Sequence, residues 1–227
     1  MNPVRLGVEF ARGEPARWVG HLDLARAMAR AVRRAGLPLA YSQGFNPHPK
    51  LSFALPLAVG MTSRRDYLEV GLAEPVAPVE FSARLNSQLP PGLTCLQAWP
   101  LPEGSPALAA RVGAATYAVR WPGSSPEALT AACRRVLEAP SLPDPLPREG
   151  KTARDLRPLI LGLEAQAIAG GALVRMTLSA GTASTARPVS VLGLLAEAAG
   201  VTAPAGPVER TGILAQGPTG LVPLCDS

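Results

Sequence analysis

The sequence predicts an α+β fold in which the element order β-α-β-β-α-β occurs twice, and three observations lead to this prediction. Apolar residues alternate with polar ones in short segments bounded by Gly and Pro, which is typical of strands. Other segments have apolar residues at helical spacing and begin or end at capping residues. A Pro/Gly/Ala-rich connector at residues 102–113 separates two halves with the same order. This order is that of the ferredoxin-like unit, so we expect two tandem ferredoxin-like domains, 1–102 and 114–227, each with its own four-stranded antiparallel sheet and two helices on one face.

The first half begins with a predicted strand and then a helix that ends at Gly36, a residue that favours a left-handed stop. Pro56 favours an edge or a bulge in the second strand, and Pro78 stands near the start of the second helix. The predicted strands are 3–10, 51–57, 65–72 and 93–101, and the predicted helices are 20–36 and 78–89.

The second half repeats the order without detailed sequence identity to the first. Ser125 caps a helix with Pro126 in its first turn, a Gly-rich turn at 169–171 joins a hairpin, and Gly200 ends the last helix. The predicted strands are 115–121, 156–166, 172–180 and 208–216, and the predicted helices are 125–139 and 188–200.

Composition limits the classes of protein to consider. Hydrophobic residues make up 47% of the 227 residues and aromatic ones only 4%, so the core must be built mainly from Leu, Val and Ala. The three cysteines, Cys95, Cys133 and Cys225, are too far apart for a CxxC motif, a zinc site or a disulfide framework. No apolar run is long enough to span a membrane, and the first residues lack the pattern of a signal peptide. We therefore expect a cytoplasmic protein that binds no cofactor or metal of its own.

The positive charge is concentrated in the first 65 residues. The net charge is +5 and the pI about 9.6, and residues 1–65 hold ten Arg or Lys against three acidic residues. Such an excess indicates an anionic partner, with RNA as the first candidate. The alternative is compositional, because a chain rich in Ala, Gly, Pro and Arg but poor in Lys is what a G+C-rich genome produces.

The first helix separates its apolar and basic residues. When residues 21–35 are placed on a helix, Arg26, Arg30 and Arg33 form a stripe on the face opposite the apolar residues. This stripe either contacts phosphates or an acidic partner, or it is a solvated face with Asp23 paired to one of its members. His21 lies in the first turn on the apolar side, where the helix dipole favours a neutral imidazole. It is either a candidate base or a packed histidine.

The segment "YSQGFNPHPK" at residues 41–50 is the strongest candidate for a binding loop. Pro47 and Pro49 restrict the residues before them, which predicts a stiff, extended backbone. Alternation would place the three polar side chains of Asn46, His48 and Lys50 on one side, near His21, where they suit phosphates. Two aromatic side chains, Tyr41 and Phe45, could stack on bases. The alternative is a surface loop whose prolines protect an edge strand from aggregation.

A second basic segment, "REGKTARDLRPLI", precedes and enters a strand of the second half. Its Lys151, Arg154 and Arg157 form a second candidate site for anions or a partner, or alternatively a solvated strand entry. The Gly-rich "GPTG" near the end of the chain is too short to indicate a phosphate-binding loop. No Ser-His-Asp set, paired-carboxylate motif or Walker motif is present.

The stretch from Gly20 to Val70 resembles a known family. Its "HLD", "RRAGLP", "YSQGFNPHPK" and "DYLEV" elements are similar to the signature of the bacterial radical-SAM-linked proteins, and "KTARDLRPLI" fits more loosely. This is a domain-of-unknown-function family found beside, or fused to, a radical SAM enzyme. The resemblance covers most of residues 3–200. It implies a radical SAM partner that uses S-adenosylmethionine and an iron–sulfur cluster, and the gene neighbourhood of the family suggests RNA as the substrate class. It carries no catalytic residue over to this chain.

Three functional hypotheses follow from these observations. The first is an accessory subunit that binds RNA and presents the RNA, or a ribonucleoprotein, to a radical SAM enzyme. The second is a metal-independent RNA endonuclease in which His21 deprotonates a ribose 2′-hydroxyl and an arginine or Lys50 stabilises the phosphorane. The third is a structural protein-interaction module. The sequence leaves open whether the chain is itself an enzyme.

Overall fold

A computed structural model describes residues 4–147, 153–181, 184–217 and 220–226. The helices are α1 (His21–Arg34), α2 (Pro78–Asn86), the one-turn α3 (Leu108–Arg111), α4 (Pro126–Glu138) and α5 (Pro188–Ala199). The strands are β1 (Val4–Arg12), β2 (Leu51–Phe53), β3 (Thr62–Leu72), β4 (Leu93–Pro100), β5 (Val112–Pro122), β6 (Ile160–Ile168), β7 (Gly171–Ser179), β8 (Glu209–Gly217) and β9 (Gly220–Pro223). No helix in these ranges is long and apolar enough to cross a membrane.

The strands form one mostly antiparallel sheet. Its order is β4-β1-β3-β8-β5-β7-β6, with β2 also paired to β3 and β9 to β8. The expectation of two separate sheets is therefore wrong. The two halves join where β3 and β8 run parallel, through only two residue pairs, Thr62 with Glu209 and Ser63 with Arg210.

The helices of the two halves cover opposite faces of this sheet. The core of the first half packs α1 and α2 on Leu68 and Val70 of β3. Tyr67 points to the other face, where it belongs to the core that includes α4 and α5. The strands of the second half therefore leave open the face that lies on the α1 side.

The predicted strands and helices of both halves are present, with boundary shifts of a few residues. Gly36 has a φ of +64°, as the predicted left-handed helix stop requires. The second strand ends at Phe53 rather than at residue 57, because the carbonyl groups of Leu55 and Pro56 turn towards Arg210. The short α3 within the connector and β9 near the end of the chain were not predicted.

A buried ion pair fastens β3 to β8. Arg210 and Asp66 are 0% and 3% exposed, and the Arg210 Nε donates to the Asp66 Oδ1 at 2.7 Å. Ser63 donates to the same oxygen at 2.8 Å. The two Nη atoms of Arg210 donate to the carbonyl groups of Leu55 and Pro56 at 2.9 and 3.2 Å. Nearly every donor of this buried guanidinium is thus used inside the protein.

We predict that Asp66→Ala lowers the free energy of unfolding by about 3–5 kcal/mol, because it leaves a buried guanidinium without its counter-ion. The matched control is Arg64→Ala, which removes an exposed ion pair between the same two strands and should cost about 0–1 kcal/mol. Urea denaturation followed by circular dichroism measures both. Similar losses in the two variants would contradict the central role of the buried pair.

Candidate functional site

The loop at residues 41–50 is held by its own backbone. Tyr41 bridges Pro49, the Ser42 N–H donates to the His48 carbonyl at 2.8 Å, and the His48 N–H donates to the Ser42 Oγ at 2.9 Å. Gly44 provides the positive φ, +123°, at the tip. These contacts close the loop into a narrow hairpin, and its stiffness stays a prediction.

The tip of this loop presents an aromatic ring to solvent. The relative exposure of Phe45 is 106%, and Tyr41 is exposed as well. Asn46, His48 and Lys50 are exposed, as expected. Because the ring of Phe45 buries almost no area in the fold, it is available to a ligand.

His21 lies at the other end of β2 from this loop. It is exposed, and its ring packs edge-on against Phe53 at 5.2 Å. Phe53 in turn packs on Phe10 at 5.8 Å. His48 precedes Phe53 by five extended residues, or roughly 16 Å. The structure therefore does not bring the two imidazoles into one site.

The arginine stripe on α1 is exposed as predicted. Arg26 pairs with Asp23 at 3.0 Å, and both side chains are largely solvated. Within the described part of the chain, Arg30 and Arg33 have no ion-pair or hydrogen-bond partner for their side chains. α1 ends at Arg34, and the segment that leads from it into the 41–50 loop pairs with the end of β3, through Leu39 with Leu72 and Ala40 with Gly71. Arg33 and the base of the loop therefore lie towards the same end of the first half.

The second basic segment has a structural role. Arg157 donates to the carbonyl groups of Leu137 and Ile160 at 2.8 and 2.9 Å. Arg154 donates to the carbonyl of Thr185 and lies 3.9 Å from the carboxylate of Asp144. Lys151 lies outside the described residues. The geometry therefore favours a fold-stabilising segment over the second anion site considered above.

A cleft between the two halves was not predicted. It has a volume of about 610 Å³, and its lining includes Gly13, Thr62, Arg64, Arg120 and Arg175. Sequence reasoning missed Arg120 and Arg175 because they come from strands that are adjacent only in the folded sheet. The signal that could have found them is the strand alternation in "ATYAVRW" and "ALVRMTLSA", which places both on the face away from the core.

The family of the chain can now be stated. The sequence model of a family described as "Uncharacterized protein conserved in bacteria (DUF2344)" matches residues 5–188. The chain belongs to this family. No curated protein matches the DUF2344 chain. Among solved structures, an "Unknown Protein from Galdieria sulphuraria" is similar at 16% identity and a TM-score of 0.27, over 86% of this chain and 88% of that one.

The titratable groups of this family member argue against a cysteine nucleophile. Burial raises the pKa of Cys133 to about 11, and it also raises the pKa of Cys95 and of Cys225. All three thiols are therefore protonated at neutral pH, whereas a nucleophilic cysteine needs a lowered pKa. Among the described residues, no group of three or more His, Cys, Asp or Glu is placed to hold a metal ion.

We predict that Phe45→Ala changes the free energy of unfolding by less than about 0.5 kcal/mol, because its ring contacts little of the fold. Phe10→Ala, which removes a fully buried ring, should cost about 3–5 kcal/mol. Chemical denaturation of the two variants provides the comparison. A large loss for Phe45→Ala would mean that the ring serves folding and is not free for a ligand.

Proposed function

We propose that the protein is an accessory subunit that binds single-stranded RNA, alone or in a ribonucleoprotein, and presents it to a radical SAM enzyme for modification. The observation that carries the RNA part is Phe45, a fully exposed ring at the tip of a hydrogen-bonded loop. An aromatic side chain held in water favours a ligand with a flat apolar face, and every nucleic-acid base has one.

The surroundings of Phe45 favour a polyanion over a neutral ligand. His48 and Lys50 share its loop, and α1 adds Arg30 and Arg33, which have no partner among the described residues. Basic side chains and an exposed ring in the same half of the protein are a combination that suits single-stranded nucleic acid, since its phosphates and its unstacked bases are recognised together.

The radical SAM part of the proposal is supported by the resemblance of residues 20–70 to the radical-SAM-linked proteins. The enzyme partner would supply S-adenosylmethionine and the iron–sulfur cluster. This chain would supply the surface that holds the substrate. The bacterial family to which the chain belongs is compatible with this role.

We also propose that the chain consists of two ferredoxin-like units whose sheets are fused. In the first half the strands lie in the order β4-β1-β3-β2, and in the second in the order β8-β5-β7-β6. When the four strands of each half are numbered 1 to 4 in chain order, both halves have the order 4-1-3-2. The join through β3 and β8 makes the two units one sheet.

The endonuclease alternative has no specific observation in its favour. Among the described residues, no hydrogen bond or ion pair links His21 or His48 to a carboxylate, and neither lines the cleft. The interaction-module alternative differs from the main proposal in one respect, because it predicts no RNA binding. Incubation of the protein with labelled total RNA in the absence of metal ions tests cleavage and binding together.

We predict that Arg30→Ala/Arg33→Ala weakens RNA binding and lowers the slope of log K against log salt by roughly 0.7 for each phosphate contact removed. Phe45→Ala should weaken binding by about 1–3 kcal/mol with the slope unchanged, because stacking releases no counterions. Fluorescence anisotropy with labelled single-stranded RNA at several salt concentrations measures both effects.

The matched control for these variants is Arg134→Ala/Arg135→Ala, which removes the same charge from exposed positions of α4 on the other face of the sheet. If the α1 variant and this control bind RNA equally well, the arginine stripe is a solvated face. If Phe45→Ala is also without effect, the expected partner is a protein.

We further predict that the protein co-purifies with a radical SAM protein encoded by a neighbouring gene, as the resemblance implies. Co-expression with a tag on one partner, followed by size-exclusion chromatography, measures the association. The matched comparison is a radical SAM protein of another family from the same cell. Association with both or with neither would contradict the proposed partnership while leaving RNA binding open to its own test.

A further inference from the structure

Side chains from four neighbouring strands form the floor of the cleft between the halves. Arg175 of β7 lies opposite Ala118 of β5, Ala118 lies opposite Glu209 of β8, and Glu209 lies opposite Thr62 of β3. Arg120 follows Ala118 by two residues and so faces the same side. Because Ala118 is small, the side chains on both sides of it border a depression that runs across the strands.

The two arginines of this floor are close to each other. Arg120 and Arg175 occupy diagonal positions on neighbouring antiparallel strands, where Cβ atoms are about 7–8 Å apart or less. Both are exposed. Their guanidinium groups can therefore approach one ligand together.

The charges that line the cleft do not cancel. Its two acidic residues are already paired, Glu209 with Arg64 at 2.7 Å and Glu14 with Arg17 at 3.0 Å. Within the described chain, Arg120 has no partner and Arg175 donates only to the neutral amide of Gln166, at 2.8 Å. Among the described residues neither arginine of the floor forms an ion pair, although Glu164 of β6 lies directly opposite Arg175.

The buried Arg12 is a third cation at the cleft. Arg12 is 1% exposed and donates to the carbonyl groups of Ala16, Arg17 and Val19. Its Nη1 has no hydrogen-bond partner among the described residues. Arg12 makes no ion pair with any described residue, so its charge adds to the positive potential of the cleft.

The residues that line the cleft favour the binding of phosphates over the binding of bases. Its neutral polar residues are Thr62, Ser63 and Thr211, and it contains no Phe, Tyr, Trp or His. Hydroxyl and guanidinium groups bind phosphate oxygens, whereas base stacking needs an aromatic face. A volume of about 610 Å³ lies in the range of known ligand pockets.

We propose that this cleft binds the phosphate backbone of the single-stranded RNA whose bases stack on Phe45, with Arg120 and Arg175 as the main contacts. The inference rests on the proposed function, because it locates the phosphate backbone of the same RNA whose bases contact Phe45. The open face of the second half and α1 lie on the same side of the sheet. Gly13 precedes α1 and the 41–50 loop follows it, so the two surfaces lie near opposite ends of a helix about 21 Å long. An extended strand of a few nucleotides can reach both.

The test compares the RNA affinity of three variants with that of the wild-type protein. The cleft variant is Arg120→Thr/Arg175→Thr, because threonine suits a strand. The first-half variant is Phe45→Ala, and the charge-matched control is Arg134→Ala/Arg135→Ala on the opposite face. The probe is a labelled single-stranded RNA of about 12 nucleotides, titrated by anisotropy at several salt concentrations. Circular dichroism and thermal unfolding confirm that each variant is folded.

The inference predicts that the cleft variant loses affinity and that its salt slope falls by roughly 0.7 for each of the two contacts, while the control keeps both. If the cleft variant binds as the control does and Phe45→Ala is impaired, the cleft inference is overturned and the proposed function stands. If the cleft variant is impaired and Phe45→Ala is not, the cleft binds RNA and the loop does not. If wild-type protein binds no RNA at any salt concentration, both proposals are overturned.

Discussion

The buried ion pair between Asp66 and Arg210 is the constraint on which the rest of the structure depends. It joins strands whose residues are 144 positions apart. The parallel ladder between the same strands contributes only two residue pairs. Taking a carboxylate and a guanidinium out of water is costly, and their attraction offsets that cost only when the remaining donors are satisfied. Here the carbonyl groups of Leu55 and Pro56 accept from the guanidinium, and Ser63 donates to the carboxylate.

This pair also sets the shape of the surface between the halves. Arg210 and Glu209 are neighbours in β8, so their side chains point to opposite faces of the sheet. Arg210 is buried and pairs with Asp66, whereas Glu209 pairs with Arg64 at the edge of the cleft. The depression beside Ala118 therefore has a floor and a wall whose relative position is fixed by a buried contact. Rigid placement of this kind reduces the ordering that a ligand must impose when it binds.

The sequence was sufficient to predict most of the local structure, because local periodicity determines it. Leu24, Met28 and Val32 recur at helical spacing, and Gly36 ends the helix they form. The join of the two sheets could not be predicted, since it depends on Asp66 meeting Arg210 and no pattern in either segment marks that partnership.

The candidate site was predictable to a similar extent. The proline-restricted loop and its exposed side chains follow from residues 41–50 alone. The distance between His21 and that loop depends on the direction in which β2 runs, which periodicity does not give. The hydrogen bonds of Arg157 could not be predicted for a related reason: the carbonyl of Leu137 that it binds lies 20 residues away in another element. Arg120 and Arg175 became neighbours only through the pairing of β5 with β7.

The placement of the helices on opposite faces has a consequence for the independence of the two halves. Tyr67, Leu101 and Leu108 belong to the first half or the connector, yet they are buried in the core that contains α4 and α5. Leu224, near the end of the chain, is part of the same core. A fragment cut at the connector would place these apolar side chains in water, so neither piece would be a self-sufficient folding unit. The two halves must therefore fold and unfold as one cooperative unit.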